Sequence, residues 1–341
     1  MHAWSRTRAT PRRVVLVTLT SALLAALAVA ASLAVGVERV DFGRAFRDRA
    51  SLDAAILFGA RGPRVLLGAL VGAALSASGV AFQALLRNPL ADPYVLGVSG
   101  GAAVAGTAAA LFGGAGALGA WTRPAWAFAG ALVAVGAVLA FGRARGQLVP
   151  QLALLAGVVV NALAGALVLG LRTWMSPHAV AETLGWLVGA LGAADGGRVG
   201  VLAVYLAVAL AALALTAADL NVLALGDEAA RSVGVDVARA RRVVFLAASL
   251  ATAAAVAFAG PIGFVGIVVP HALRRIVGAD HRLLLPASLF GGAAFLVVAD
   301  SAARLGFLVV GTEPAVGVLT ALVGAPLFLV ILRRRGAEGA W

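Results

Sequence analysis

Lysine and cysteine are both missing from this 341-residue chain, and all 27 of its Lys/Arg positions are arginine. The lack of cysteine excludes disulfides, thiolate metal sites, iron–sulfur ligation and thiol nucleophiles. The lack of lysine excludes Schiff-base chemistry and an ordinary Walker A loop, whose lysine reaches the β/γ-phosphates. Any ATP chemistry must therefore sit on a partner chain. Charge is scarce as well, at 12% of residues against about 25% in an average soluble protein. The four histidines (His2, His178, His271 and His281) are scattered, and no pair has the spacing of a metal site.

What the chain has is apolar surface. Apolar residues make up 62% of it, room for at most about ten bilayer-spanning helices of roughly 20 residues each. So little charge excludes an ordinary soluble enzyme, a disordered chain and a nucleic-acid-binding domain. The class is an all-α polytopic membrane protein forming one transmembrane domain over 1–341. The net charge of +12 does not point to nucleic acid. The arginines punctuate the apolar runs, as loop residues of a membrane protein do.

The pass along the chain gives ten spans. A cytoplasmic tail, 1–13, precedes a first span over Val14–Val37. A cleaved signal peptide is the alternative there, but the run exceeds the 7–15 residues of a signal core. Residues 38–62 suit a short external helix. Pro63 opens span two, to about Ala84. Span three is 94–112, 113–119 a Gly-rich turn, span four 124–141 and span five 150–171. An external segment with a short helix near Val180–Val188 follows, then span six at 199–217. Residues 218–242 are the most charged stretch. The run 243–276 is divided by Gly260-Pro261 into two spans, the second short. Span nine is 283–301, residues 302–313 return outside, and span ten is 314–332. With both termini inside, 17 arginines are cytoplasmic and 10 are not, which favours this orientation. Six of those ten lie within 38–64. Small residues four apart, such as Gly68 with Gly72, read as helix-packing surfaces.

Within 218–242, Gly226 and Asp227 can start a short helix with acidic residues at its positive end. Glu228, Ala229 and Ala230 continue it. Arg231 stands four residues after Asp227, where the two can pair, and Gly234 suits a left-handed C-terminal cap. The product is a short rigid helix displayed in a cytoplasmic loop, either as a dock or as a solvated turn.

Several motifs then converge. They are Arg61-Gly-Pro-Arg64 with Leu70-Val-Gly-Ala73, Gln83, Arg87-Asn-Pro-Leu-Ala-Asp-Pro93 with Leu96-Gly-Val-Ser99, and Leu225-Gly226 with the Glu228 segment. Gly260-Pro-Ile-Gly-Phe-Val-Gly266, Pro270-His271, Asp280-His-Arg282, Asp300, Arg304 and Glu313-Pro314 complete them. In order and spacing the chain resembles the ten-span permease subunits of type II ATP-binding-cassette importers for iron–siderophore complexes, haem and vitamin B12. That resemblance implies a homodimer in the cytoplasmic (inner) membrane, with one path at the subunit interface and lipid around it. It implies two cytoplasmic ATPase subunits that bind ATP and Mg, a periplasmic or lipid-anchored substrate-binding protein, and no cofactor, metal or catalytic residue on this chain. Gly226 to Arg231 with Gly234 would be the ATPase coupling element. Arg61, Arg64 and Arg304 would meet acidic residues of the binding protein. The alternative for Arg304 is an internal pair with Asp300.

Asn161, in the middle of span five, is a candidate for path lining or for interhelical hydrogen bonding. His271 suits structural bonding better than ligation. Where the resemblance implies a cytoplasmic gate of small hydroxyl residues, this chain reads Gln147-Leu-Val-Pro-Gln151, which leaves Pro150 and Gln151 as gate candidates. A stand-alone secondary transporter or channel is the reading from another class, but it has no need of an ATPase dock.

Overall fold

The first helix, α1 (Pro11–Ala34), shows how sequence signals set boundaries here. Thr10 accepts the Arg13 N–H and Pro11 takes the first helical position. This computed structural model describes residues 9–113, 119–144, 146–192 and 194–337. After α1 come α2 (Phe42–Arg47) and α3 (Leu52–Ala54), then a π-helical stretch, Ala55–Arg61, that leads directly into α4 (Gly62–Leu85). Span two therefore does not open at Pro63, because the helix is continuous over Leu52–Leu85. The Gly62 N–H reaches back five residues to the Leu57 carbonyl. This widened turn accommodates a proline that would otherwise crowd the carbonyl four residues earlier.

A 3-10 turn, Pro93–Leu96, precedes α5 (Val98–Phe112), which starts four residues later than 94 because Gly97 is left-handed. Next are α6 (Gly119–Phe141), a minimal hairpin of β1 (Arg143–Ala144) and β2 (Gln147–Leu148), α7 (Pro150–Arg172), α8 (Pro177–Leu187) and α9 (Gly196–Leu215). Most of the expected turn at 113–119 lies outside the described residues, as do 1–8 of the tail. The charged segment folds into α10 (Ala217–Leu223) and α11 (Asp227–Ser232). The following helix, α12 (Val237–Ala259), begins earlier than 243, capped by Asp236. It is interrupted after Ala259 and resumes as α13 (Val265–Val277), followed by α14 (His281–Val310) and α15 (Val316–Ala337).

The outside return expected at 302–313 is largely absent, since α14 runs unbroken to Val310. Arg304 does not end the helix because Asp300, one turn earlier, takes its charge at 3.1 Å. Among the described residues, seven helical stretches are long and apolar enough to cross a membrane: α1, Leu52–Leu85, α6, α7, α9, α12 and α14. Shorter apolar helices cover Val98–Phe112 and Val316–Val330. The chain is a multi-pass membrane protein.

Two buried helices, α4 and α12, form the centre, and α14 packs along α4. The contact is backbone to backbone: a Cβ on Gly72 would lie 2.2 Å from the Gly292 carbonyl, and one on Gly292 would lie 2.3 Å from that of Gly72. Lipid is as apolar as leucine, so close approach of small residues, rather than apolar burial, drives this association. By contrast α1 is largely exposed apolar surface.

Candidate functional site

At the end of the bundle where α4 finishes, α11 is held from behind. Ala230 packs with Leu223, Val237 and Ala240 in a small core of its own. The C-terminus of α11 closes as the sequence suggests. Gly234 has φ +85°, its N–H donates to the Arg231 carbonyl at 3.0 Å, and Val235 N–H donates to that of Ala230 at 3.0 Å. These two bonds are the paired ring closures of a Schellman end, and they satisfy otherwise orphan carbonyls. Asp227 does not use Arg231. Its carboxylate pairs with Arg87, from the end of α4, and with Arg241, from α12. Arg87 also donates to the Leu223 carbonyl at 3.0 Å, and Arg241 to that of Leu148 at 3.3 Å. With Asp227 consumed behind the helix, Glu228, Arg231, Ser232, Val233 and Gly234 are exposed, as is Leu225 before it. Asn221 of α10 donates to Asp280 at 2.9 Å and accepts the His281 N–H at 2.8 Å, which fastens the same element to α14. Burial opposes ionisation of Asp280, but the Asn221 bond and the Arg282 amide and guanidinium outweigh it and hold its pKa below the usual carboxylate range.

At the opposite end of the bundle, the three candidate arginines turn inward. Arg61 is 8% exposed and donates to the Leu33 carbonyl at 3.0 Å and the Glu38 carbonyl at 2.7 Å. Arg304 is 7% exposed and donates to the Val35 carbonyl at 2.7 Å and the Ser32 carbonyl at 3.2 Å. Both therefore cap the orphan carbonyls at the C-terminus of α1, where positive charge is favoured. Arg64 bonds Asp300 at 2.7 Å and also pairs with Glu313. Asp300 is 1% exposed and sits between Arg64 and Arg304. The internal Arg304–Asp300 pair is thus the geometry found. Arg39, Arg44, Arg47 and Arg49 are the exposed arginines of this end.

Asn161 lies half-buried on α7 and donates to the Tyr94 carbonyl at 2.8 Å, so it makes an interhelical bond. Pro150 starts α7 and Gln151, beside it, is exposed. An apolar surface cavity of about 480 Å³ is lined by Val188 and, on α15, by Gly317, Ala321 and Pro326 among others. His271 is buried in α13. Among the described residues no three His, Asp or Glu gather as a metal site.

A model of the FecCD transport family matches residues 22–334. The chain belongs to the FecCD transport family. It is 46% identical over 273 residues to the cobalamin import system permease protein BtuC of Halobacterium salinarum, covering 80% of this chain and 72% of that protein. It is 42% identical to the hemin transport system permease protein HmuU of Yersinia pestis, over 80% of this chain and 82% of that one. Identity to the ferric enterobactin transport system permease protein FepD of Escherichia coli is 39%, over 85% of each. Among solved structures, an inward-facing conformation of a metal-chelate type ABC transporter matches with a TM-score of 0.80 at 29% identity, over 94% of this chain and 99% of that one. These relatives are permease subunits of import systems, not enzymes.

In this FecCD-family chain, sequence reasoning missed Arg87 and Arg241 as the clamp on Asp227. Both are cationic and stand at the ends of apolar runs, but nothing in the sequence pairs Arg87 with a residue 140 positions away. It also missed Tyr94, which accepts the Ile262 N–H at 2.8 Å on its phenol oxygen. Nothing in the local pattern marks that residue.

Proposed function

We propose that this FecCD-family chain is the membrane subunit of an ATP-driven importer for a metal chelate: a ferric siderophore, haem or cobalamin. The observation that carries the reading is α11. It is a six-residue helix with its own core, a closed C-terminus and its acidic N-terminal residue clamped from behind. Its front is left exposed. A rigid, buttressed projection of this kind suits a groove on a moving partner. The names of the relatives, which cover cobalamin, hemin and ferric enterobactin, supply the substrate class.

In this reading two copies of the chain enclose one path and alternate between inward- and outward-open states. Ten spans, counting α5, α13 and α15, place both termini in the cytoplasm of a cell whose inner membrane holds the complex. Two cytoplasmic ATPase subunits carry ATP and Mg, and this chain needs no cofactor. The apolar cavity beside α15 and the Asn161 face of α7 border the path, with Pro150 and Gln151 at its cytoplasmic mouth. A binding protein delivers the chelate outside. The exposed Arg39, Arg44, Arg47 and Arg49, with the edge formed by Arg64 and Glu313, are the charges it can reach.

The test is reconstitution with an ATP-binding-cassette ATPase and a substrate-binding protein of this importer class. Uptake of one of the three chelates into proteoliposomes that requires ATP and all three components is the expected result. ATP-independent uptake by the chain alone would replace this reading with that of a stand-alone carrier.

A further inference from the structure

The interruption between α12 and α13 is non-helical backbone, buried at Gly260 and Ile262, where unpaired polar groups have no water to fall back on. Gly260 and Phe264 both have φ +68°, and phenylalanine rarely adopts that conformation. Two backbone neighbours of this break come close. A Cβ on Gly260 would meet the Trp186 carbonyl at 2.2 Å, and one on Gly189 would meet that of Pro261 at 2.3 Å. Ala190 N–H donates to the Ala259 carbonyl at 3.0 Å, and Gly317 N–H to that of Gly189 at 2.9 Å. The break, the α8–α9 connection and the start of α15 are thereby laced together by backbone on the outer side of the bundle.

The phenol oxygen of Tyr94 accepts from the break, receiving the Ile262 N–H at 2.8 Å. The same residue's carbonyl receives Asn161 of α7 at 2.8 Å. Tyr94 is itself fixed, because its N–H donates to Asp92 at 2.8 Å. The connection from Arg87 to Asp92 is short and internally bonded. Asn88 N–H donates to the Gln83 carbonyl, Leu90 N–H to the Asn88 side chain and Ala91 N–H to the Asn88 carbonyl, all within 3.1 Å. Its other end is Arg87, on Asp227 and the Leu223 carbonyl.

We infer that residues 87–94 form a stiff link between α11 and the α12–α13 break, with Tyr94 as the positioning residue that joins the break to α7, so that displacement of α11 is delivered to the outer closure around Gly189, Ala259 and Gly317. The link rests on the importer reading for its purpose, but its geometry does not. Rigid, contiguous hydrogen-bonded elements of this kind carry coupling when the far end has two arrangements. The outer closure is held by backbone bonds and glycine contacts, with Leu191, Ile262 and Val316 of the buried core beside it, so its opening would repack those side chains.

The test is Tyr94→Phe, which removes one oxygen and keeps the ring. Amide exchange in the purified parent and variant, read on peptides containing Ile262, Ala190 and Gly317, needs no transport assay. Loss of a buried bond that leaves its donor unpaired predicts about tenfold faster exchange at Ile262. The link predicts the same rise at Ala190 and Gly317, with α9 and α14 unchanged. Faster exchange at Ile262 alone, or in every peptide equally, would overturn the proposal. In the reconstituted complex, chelate taken up per ATP should fall about fivefold or more while the ATPase rate stays within about twofold. A parallel fall of uptake, ATPase rate and melting temperature would mark Tyr94 as merely structural. If the parent complex shows no ATP-dependent uptake, the importer reading fails, and the exchange pattern still decides the link. Should Tyr94→Phe not assemble, Asn161→Ala releases the same residue from α7, and the Ala190 and Gly317 peptides must respond alike.

Discussion

At the α11 end of the bundle, Arg87 and Arg241 stand behind Asp227, and the helix they brace presents Glu228, Arg231 and Val233 to its surroundings. At the opposite end, Arg61 and Arg304 are buried and cap α1, while Asp300 lies hidden between Arg304 and Arg64. Both ends join arginine and carboxylate. One uses the pairs to hold out a surface, and the other uses them to close one. Depth decides which. Asp227 keeps 29% of its side chain exposed against 1% for Asp300, so the first pair is supported by solvent and the second must satisfy itself internally.

The largest effect should come from the closed end. Asp300→Ala leaves Arg64 with only Glu313 and Arg304 with only hydroxyl and carbonyl oxygens. Removing one partner of a buried ion cluster costs about 3–5 kcal/mol, which should appear as a clear drop in the melting temperature of the purified protein. A parent-like melting temperature would break the contrast between the two ends. Asp227→Ala should have the opposite profile. Asp227 and Arg87 are part-exposed, so the cost to the fold is smaller than at Asp300, although Arg241, with 8% of its side chain exposed, is left with the Leu148 carbonyl; α11 loses its brace. ATPase affinity should fall about tenfold, with a smaller drop in melting temperature than Asp300→Ala gives. Gly234→Val comes next. A side chain in the left-handed region costs roughly 1–2 kcal/mol, spent on unwinding the end of α11, and ATPase capture should weaken by about three- to tenfold. Equal effects of these two variants on melting and capture would show that the front of α11 is not a surface in its own right.

How far the sequence foretold this is uneven, and the reason is physical. The long apolar runs, the break at Gly260 and the left-handed Gly234 are local properties, and they are legible, although the first helix spans Pro11–Ala34 rather than Val14–Val37. So is a short displayed helix after Gly226. The failures are of two kinds. Pro63 looked like a start, but a widened local turn absorbs it. Residues 302–313 looked like a loop, but the Asp300–Arg304 pair, one helical turn apart, lets the helix run on to Val310. The rest are long-range. Asp227 has a plausible partner four residues on, and only the fold brings in Arg87, 140 positions away. The glycines of 68–72 announced close packing, but not that Gly292 would be the neighbour.

The smallest effect distinguishes the outer arginines from one another. Arg47→Glu with Arg39→Glu reverses two exposed charges, which act on a charged partner through the encounter rate more than through the bound state. Association with the binding protein should slow by about three- to tenfold at low salt, and the difference should fade near physiological ionic strength, where the Debye length is about 8 Å. Arg61→Gln is the matched control from the buried set. Its guanidinium lies over Gly36, where a Cβ would come within 2.3 Å of it, and it donates only inward. That variant should lower the melting temperature and leave the salt dependence of association as in the parent. If instead Arg61→Gln alters the salt slope while the exposed pair does not, then the outer end must open to meet its partner, and the inward-turned cluster described above is one of two states of that surface.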